Sequence, residues 1–192
     1  MKHVKTFFVT FAIAGSTVLF FCCSNKDNRV TVLDTFDNGQ PKTAIYKTID
    51  DKNTYYEIKY DSLGRIWEIT PYSDGQLNGT MVYFRENLDV GALLPHKDGK
   101  REGFVYEFNE RLQPLFKGEA KNGKFNGLST WFYRDGNLDE TGIRTNDQNE
   151  GEWVEYHENG QMRAKGTYIN GCKQSDWIYW NNDGTIDSTQ HN

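Results

Sequence analysis

The chain has 192 residues, of which 36% are hydrophobic and 15% aromatic, and it contains 18 glycines. The low hydrophobic fraction excludes an integral membrane protein, and the formal charge of −5 argues against a phosphate-binding surface, so no nucleic-acid partner is expected. Abundant aromatic residues and glycine favour twisted β-structure over a helical bundle.

The chain opens on a basic and then apolar segment that is typical of an export signal. The apolar run at residues 7–21 has 15 residues, whereas a bilayer-spanning helix takes about 20. It ends at Cys22 and Cys23, and the polar run SNKDN follows. An apolar run ending at a cysteine resembles a bacterial lipoprotein signal, in which that cysteine is acylated and becomes the mature N-terminus.

Two cysteines are candidates for the acylated position. Cys23 would follow the small residue Cys22, whereas Cys22 would follow the bulky Phe21, so we predict Cys23 and keep Cys22 as the alternative. An ordinary secretory signal with two incidental cysteines is the other interpretation. We therefore predict a signal peptide over residues 1–22 and a polar linker over 23–34. The resemblance implies a cell-envelope protein, an outer membrane lipoprotein of a Gram-negative bacterium, which contacts the membrane through its N-terminal acyl chains.

Repetition with a period of 24 residues follows the linker. Turn signals such as Asp74-Gly75 and Asn122-Gly123 recur with this period, and both residues of such pairs tolerate positive φ. One further copy, offset by one residue, starts at Phe36. The aromatic position of the repeat is occupied by Tyr60, Phe84, Phe108, Phe132, Tyr156 and Trp180.

Each copy is predicted to form a β-hairpin, because turns spaced about 12 residues apart leave no room for a helix of normal length. The sequence therefore predicts an all-β protein: an array of about six to seven 24-residue hairpin repeats that form an elongated antiparallel sheet over residues 35–187. A tail over 188–192 follows. One hairpin buries too little apolar surface to fold alone, so stability is expected to be collective.

Alternation along the second strand of each hairpin divides its residues between two faces. One set is apolar in nearly every copy and is predicted to be buried: Val82, Phe84, Tyr106, Phe108, Thr130, Phe132, Val154, Tyr156, Ile178 and Trp180. The alternate set includes Glu107 and Glu155 and is predicted to be half-exposed. Because rows of exposed aromatic residues mark recognition surfaces, we expect a binding surface at Tyr83, Trp131, Trp153, Trp177 and Tyr179. The alternative is that these rings pack against neighbouring hairpins.

Two stretches resemble MORN repeats. Residues 118–136 carry GEAKNGKFNG followed by WFY and a second turn pair, and residues 166–184 follow the same pattern. The chain is most similar to bacterial MORN-repeat variants, many of which carry an inherited antitoxin label, and the resemblance covers residues 36–186. It implies hairpins stacked into an elongated single-layer sheet that acts as a scaffold for protein or lipid contacts. Leu88 and Leu112 replace turn glycines of the pattern, which leaves the local turn type open.

The sequence offers no catalytic set and no metal or cofactor site, so we do not predict an enzyme. His157 lies in a column of polar residues beside the repeat turns, and His96 has no matched partner. Cys172 lies in a polar turn column and lacks an activating neighbour beyond Lys173.

The predicted function is that of a lipid-anchored envelope scaffold that binds a protein or a surface glycan through its sheet. A purely structural spacer and an antitoxin-like inhibitor of a partner protein are the alternatives. An inhibitor acting in the cytoplasm would not need an export signal.

Overall fold

The computed structural model describes residues 9–13, 16–20, 29–51 and 53–190, and every regular element in these ranges is a β-strand. The prediction of an all-β protein is therefore confirmed. No helix in this part of the chain is long and apolar enough to cross a membrane.

The described strands are numbered here in chain order. They are β1 Val9–Ile13, β2 Ser16–Phe20, β3 Val30–Thr35, β4 Pro41–Lys47, β5 Thr54–Tyr60, β6 Ile66–Ser73, β7 Gln76–Leu77, β8 Gly79–Phe84, β9 Val90–Lys97, β10 Lys100–Arg101, β11 Gly103–Phe108, β12 Pro114–Lys121, β13 Lys124–Phe132, β14 Leu138–Thr145, β15 Gln148–Tyr156, β16 Met162–Ile169, β17 Cys172–Lys173, β18 Trp177–Trp180 and β19 Ile186–Gln190.

Strands β3 to β19 form one antiparallel sheet in which neighbours in the chain are neighbours in space. No pairing of the described strands joins β3 to β19, so the sheet is open and these two strands are its edges. Strands β1 and β2 pair only with each other. A two-residue strand such as β7 runs on into the longer strand that follows it. Asn78 separates β7 from β8, and both of these strands pair with the same neighbouring strand, β6.

The predicted repeat register is confirmed along the sheet. The first strand of five successive hairpins begins at positions 24 residues apart: Ile66, Val90, Pro114, Leu138 and Met162. Strand β19 begins at Ile186, one period later. Strand β3 begins at Val30, within the predicted linker over 23–34, and β19 ends at Gln190, within the predicted tail over 188–192.

The tight turns adopt the left-handed conformation that the turn pairs predict. At Asn122-Gly123 the φ angles are 52° and 88°, so both central residues have the sign required by a type I′ hairpin turn. The open question at the two leucines is also answered, because Leu112 has a φ of 58° where Gly136 has 94°. The Leu112 amide donates to the Asn109 carbonyl at 3.0 Å, as the Gly136 amide does to the Tyr133 carbonyl. Leucine therefore occupies the glycine conformation without changing the turn.

The prediction of which face is buried was wrong. Val105, Ser129, Trp153 and Trp177 are buried, and they belong to the set predicted to be half-exposed. We call the face that carries these four residues the tryptophan face. The set predicted to be buried is half-buried throughout, apart from the exposed Ile178.

Glycines on the neighbouring strands explain this reversal. Gly142 is the cross-strand partner of Trp153, and a methyl group on Gly142 would overlap the Trp153 ring. Gly166 has the same relation to the Trp177 ring. Because a glycine has no side chain, each indole lies flat on the backbone of the adjacent strand and is buried without a second layer.

Candidate functional site: an aromatic ladder and two unequal faces

Four of the five predicted surface residues lie in one aromatic ladder on the tryptophan face. Trp131 and Trp153 have ring centroids 5.9 Å apart, and Trp177 and Tyr179 lie 6.3 Å apart. Tyr168 joins the two pairs, at 5.8 Å from Trp153 and 5.3 Å from Trp177.

Tyr83 is not part of this ladder. It stacks on Trp67, with ring centroids 6.2 Å apart. The structure therefore brings together Trp131, Trp153, Trp177 and Tyr179 and places Tyr83 in a separate pair.

The two central tryptophans of the ladder are core residues. Trp153 and Trp177 are each 1% exposed. The Trp153 indole N–H donates to the Ile143 carbonyl at 3.1 Å, and the Trp177 N–H donates to the Thr167 carbonyl at 3.3 Å. Both rings are buried, and the single N–H donor of each already has an acceptor within the sheet. These two rings are therefore not available to contact a partner.

Three further residues, which were not predicted from the sequence, belong to the ladder: Phe116, Phe125 and Tyr168. Phe116 lies 4.7 Å from Trp131 and packs edge-on against Phe125 at 5.3 Å. Only the pairing between adjacent strands could have indicated them. Phe116 is the register partner of Trp131, so the two side chains share a face.

Charged groups border the ladder at its C-terminal end. The Lys173 ammonium lies 3.8 Å from the centroid of the Trp177 ring and 3.4 Å from a Glu155 carboxylate oxygen. Arg163 pairs with the same carboxylate at 3.4 Å. Glu140 is the register partner of Glu155, and its own pKa is raised, first by burial and then by the negative charges of Asp139 and Glu155.

The other side of the sheet exposes large apolar side chains. We call it the opposite face and define it by Phe104, Leu128, Ile143 and Ile178, which are 46%, 49%, 45% and 36% exposed. Leu128 and Ile143 are register partners on adjacent strands, so they form a continuous aliphatic surface. These four accessible side chains therefore lie on the face that was predicted to be buried.

Four residues of one polar column each connect a repeat to the next one along the chain. Each side chain donates to a backbone carbonyl about one repeat further along the chain. The four bonds join Arg85 to Asn109 at 3.0 Å, Asn109 to Arg134 at 2.8 Å, Tyr133 to Tyr156 at 2.6 Å and His157 to Trp180 at 2.7 Å. We call these four bonds the repeat staples.

The remaining predicted residues have ordinary surroundings. His157 is a turn-flanking polar residue, as predicted, and His96 contacts the carbonyl of Leu94 in its own strand at 2.8 Å. Cys172 is exposed. Among the described residues, no three His, Cys, Asp or Glu side chains lie close enough together to hold a metal ion. Cys22 and Cys23, the predicted acylation positions, lie outside the described residues.

Comparison with known families gives a match to one hairpin of the sheet. Residues 149–170 match the MORN repeat variant family, and this segment covers nearly all of the β15–β16 hairpin, including Trp153. The match supports a MORN-repeat family, and together with the sheet it indicates a repeat scaffold. A search of curated proteins gives no match.

Proposed function

We propose that this protein is a lipid-anchored scaffold of the cell envelope that binds a partner protein through the opposite face of its sheet. The observation that carries the proposal is the exposure of Phe104, Leu128, Ile143 and Ile178 on one face of an open repeat array. Exposed apolar groups of this size mark contact surfaces, because leaving them in water costs free energy that a partner recovers.

A protein partner fits this face better than a glycan does. Sugars are bound by flat, accessible aromatic rings, whereas Trp153 and Trp177 of the ladder are buried and the Leu128–Ile143 pair is aliphatic. A glycan partner remained possible from the sequence, and the capture experiment described below distinguishes it from a protein partner.

The anchoring half of the proposal depends on the N-terminal sequence, where an apolar run ends at Cys22 and Cys23. Intact-mass measurement of the protein extracted from native membranes tests it. A mature chain that starts at an acylated Cys23 is the expected result, acylation of Cys22 is the alternative, and an unacylated N-terminus would exclude the anchor.

The binding half is tested by cross-linking capture from the native envelope with the double variant Leu128→Ser/Ile143→Ser. The matched control is Leu63→Ser, which removes a leucine that is 74% exposed in a turn away from this face. We expect the wild type and the control to capture the same protein and the double variant to lose it while keeping its melting temperature. Capture of a polysaccharide, or equal capture by all three proteins, would contradict the proposal.

A structural spacer is one alternative to this proposal. It predicts no saturable partner and no effect of the double variant beyond changed solubility.

A further inference from the structure

A groove of about 300 Å³ opens on the tryptophan face where the repeat pattern changes. Trp153 lies over Gly142, but the equivalent position one repeat earlier is Ser129, opposite Gly118. Serine is too small to cover that glycine, and Phe116 and Phe125 approach it instead. The groove lies beside these two phenyl rings, which form part of its wall.

Two arginines line this groove. The guanidinium carbons of Arg101 and Arg144 each lie 5.0 Å from the centroid of the Phe125 ring, so the ring has a cation from each of two other strands. Arg144 is also 5.9 Å from the Trp131 centroid. Apolar side chains of Leu94, Val105 and Phe116 complete the walls.

Neither guanidinium has an anionic partner among the described residues, because the ion pairs of that part of the chain involve other side chains. Arg101 donates to the Gly123 carbonyl at 3.2 Å, and Arg144 donates to the Asp147 carbonyl at 2.7 Å. The Nε of Arg144 is buried and has no hydrogen-bond partner. In a chain with a net charge of −5, two arginines left without a carboxylate indicate that the anion comes from elsewhere.

We infer that this groove binds a carboxylate side chain presented by an extended segment of a second protein. A guanidinium donates two parallel N–H bonds to a carboxylate, so each of the two arginines that line the groove, Arg101 and Arg144, offers donors to a carboxylate that enters it. The apolar walls accept a neighbouring side chain of the same segment, and the volume is at the low end for ligand clefts, so it fits a side chain and not a folded domain.

The site lies on the tryptophan face and is therefore independent of the proposed contact surface on the opposite face. Among the described residues that line the groove, the acidic one is Glu107, which is exposed and would oppose a carboxylate ligand. Removal of its charge should therefore strengthen binding, whereas removal of an arginine should weaken it.

The experiment uses the mature chain and an array of capped heptapeptides in matched pairs that differ only in a central Glu or Gln. Binding is followed through the NMR signals of the arginine Nε–H groups. We expect the acidic member of the best pair to move the signals of Arg101 and Arg144 and to bind at least about tenfold more tightly than its amide partner, because hydrogen bonds to charged groups are the stronger ones.

Variants assign the effect to the groove. Arg101→Gln and Arg144→Gln are each expected to weaken binding about tenfold to a hundredfold. Arg163→Gln, which removes an arginine that already pairs with Glu155, is the matched control and should bind as the wild type does. Glu107→Gln is expected to tighten binding. If Arg144→Gln loses its near-ultraviolet circular dichroism, Arg144→Lys, which keeps the charge but not the paired donors, replaces it.

Two results would overturn the inference. One is an array in which no acidic peptide binds better than its amide partner. The other is stronger binding of inorganic phosphate or of a uronic-acid oligosaccharide than of any acidic peptide, with movement of the same Nε–H signals, because the groove would then be an anion or glycan site. Loss of envelope capture by Leu128→Ser/Ile143→Ser affects neither result, so this inference and the proposed function fail separately.

Discussion

Trp153 and Gly142 act as one packing unit, since the indole of one residue occupies the space that the other leaves free. The unit recurs in Trp177 and Gly166. It buries a large ring in a single-layer sheet, which otherwise has no second layer to cover its side chains.

The first prediction concerns this unit. Gly142→Ala places a methyl group in the Trp153 ring and is expected to lower the free energy of unfolding by about 1–3 kcal/mol, the usual cost of overpacking. Gly91→Ala is the control, because the nearest atom to its new methyl would be an arginine Cγ at 3.5 Å and its φ is not left-handed. It should leave stability unchanged or raise it by up to about 1 kcal/mol. Urea unfolding of both variants measures the difference, and equal losses would contradict the packing unit.

A second prediction follows from the raised pKa of Glu140, which burial and two nearby carboxylates cause. The folded protein binds a proton at Glu140 more readily than the unfolded chain does, so this residue lowers stability as pH rises through the range above its ordinary value of 4.5. Glu140→Gln should therefore stabilise the fold at pH 7, and the gain should disappear at pH values well below 4.5, where both side chains are neutral.

Urea titrations of Glu140→Gln and the wild type across this pH range provide the measurement. The exposed Glu110→Gln is the control and should show no comparable pH-dependent difference. A gain for Glu140→Gln that grows toward low pH would show that the carboxylate is stabilised by its neighbours Arg163 and Lys173 instead.

The repeat staples connect successive hairpins along the chain. His157 donates to the Trp180 carbonyl at 2.7 Å, which fastens β18 to the turn that ends β15. This bond lies near the edge of the sheet, where β19 has no outer neighbour among the described strands.

Removing the staple should loosen the last hairpin selectively. His157→Ala is expected to cost about 0.5–1.5 kcal/mol, and the cost should appear as faster amide exchange in β18 and β19 with little change in β11 and β12. His96→Ala is the matched control, because its ring contacts a carbonyl of its own strand. Uniform acceleration across the sheet would mean that the array unfolds as one unit.

Hairpin register and turn chemistry could be predicted from the sequence because both are local and repeat with a fixed period. The choice of buried face could not, since alternation separates Val154 from Trp153 without saying which one points inward. That choice depends on Gly142 in the adjacent strand, a cross-strand relation that no single strand displays. The groove is harder still to predict from the sequence, because Arg101 and Arg144 come from different repeats and are brought together only by their contacts with Phe125.

At the scale of the whole molecule, the described residues form no single core. One buried cluster contains Val105, Phe116 and Ala120, another contains Trp153, Ala164 and Trp177, and Trp131 packs against both. Contacts of this kind join only neighbouring repeats, so stability is expected to accumulate along the array.

A shortened chain tests this expectation. A protein ending at Thr145 loses the second cluster but keeps β3 to β14 and the first cluster. We expect it to remain folded and to unfold cooperatively, with a lower melting temperature and a denaturant dependence that falls roughly in proportion to the surface removed. Complete loss of near-ultraviolet circular dichroism would instead indicate one indivisible folding unit.

The acceptors of the repeat staples are all main-chain carbonyls, and this has a consequence for how such a protein can change over time. Arginine, asparagine, tyrosine and histidine all serve as donors, because the receiving group is the same whatever side chain its residue carries. The staples therefore allow neighbouring copies to differ in composition, because the donor can change without a compensating change in the residue that accepts its bond. Recognisable family likeness can then shrink to one hairpin while the architecture persists along the whole array.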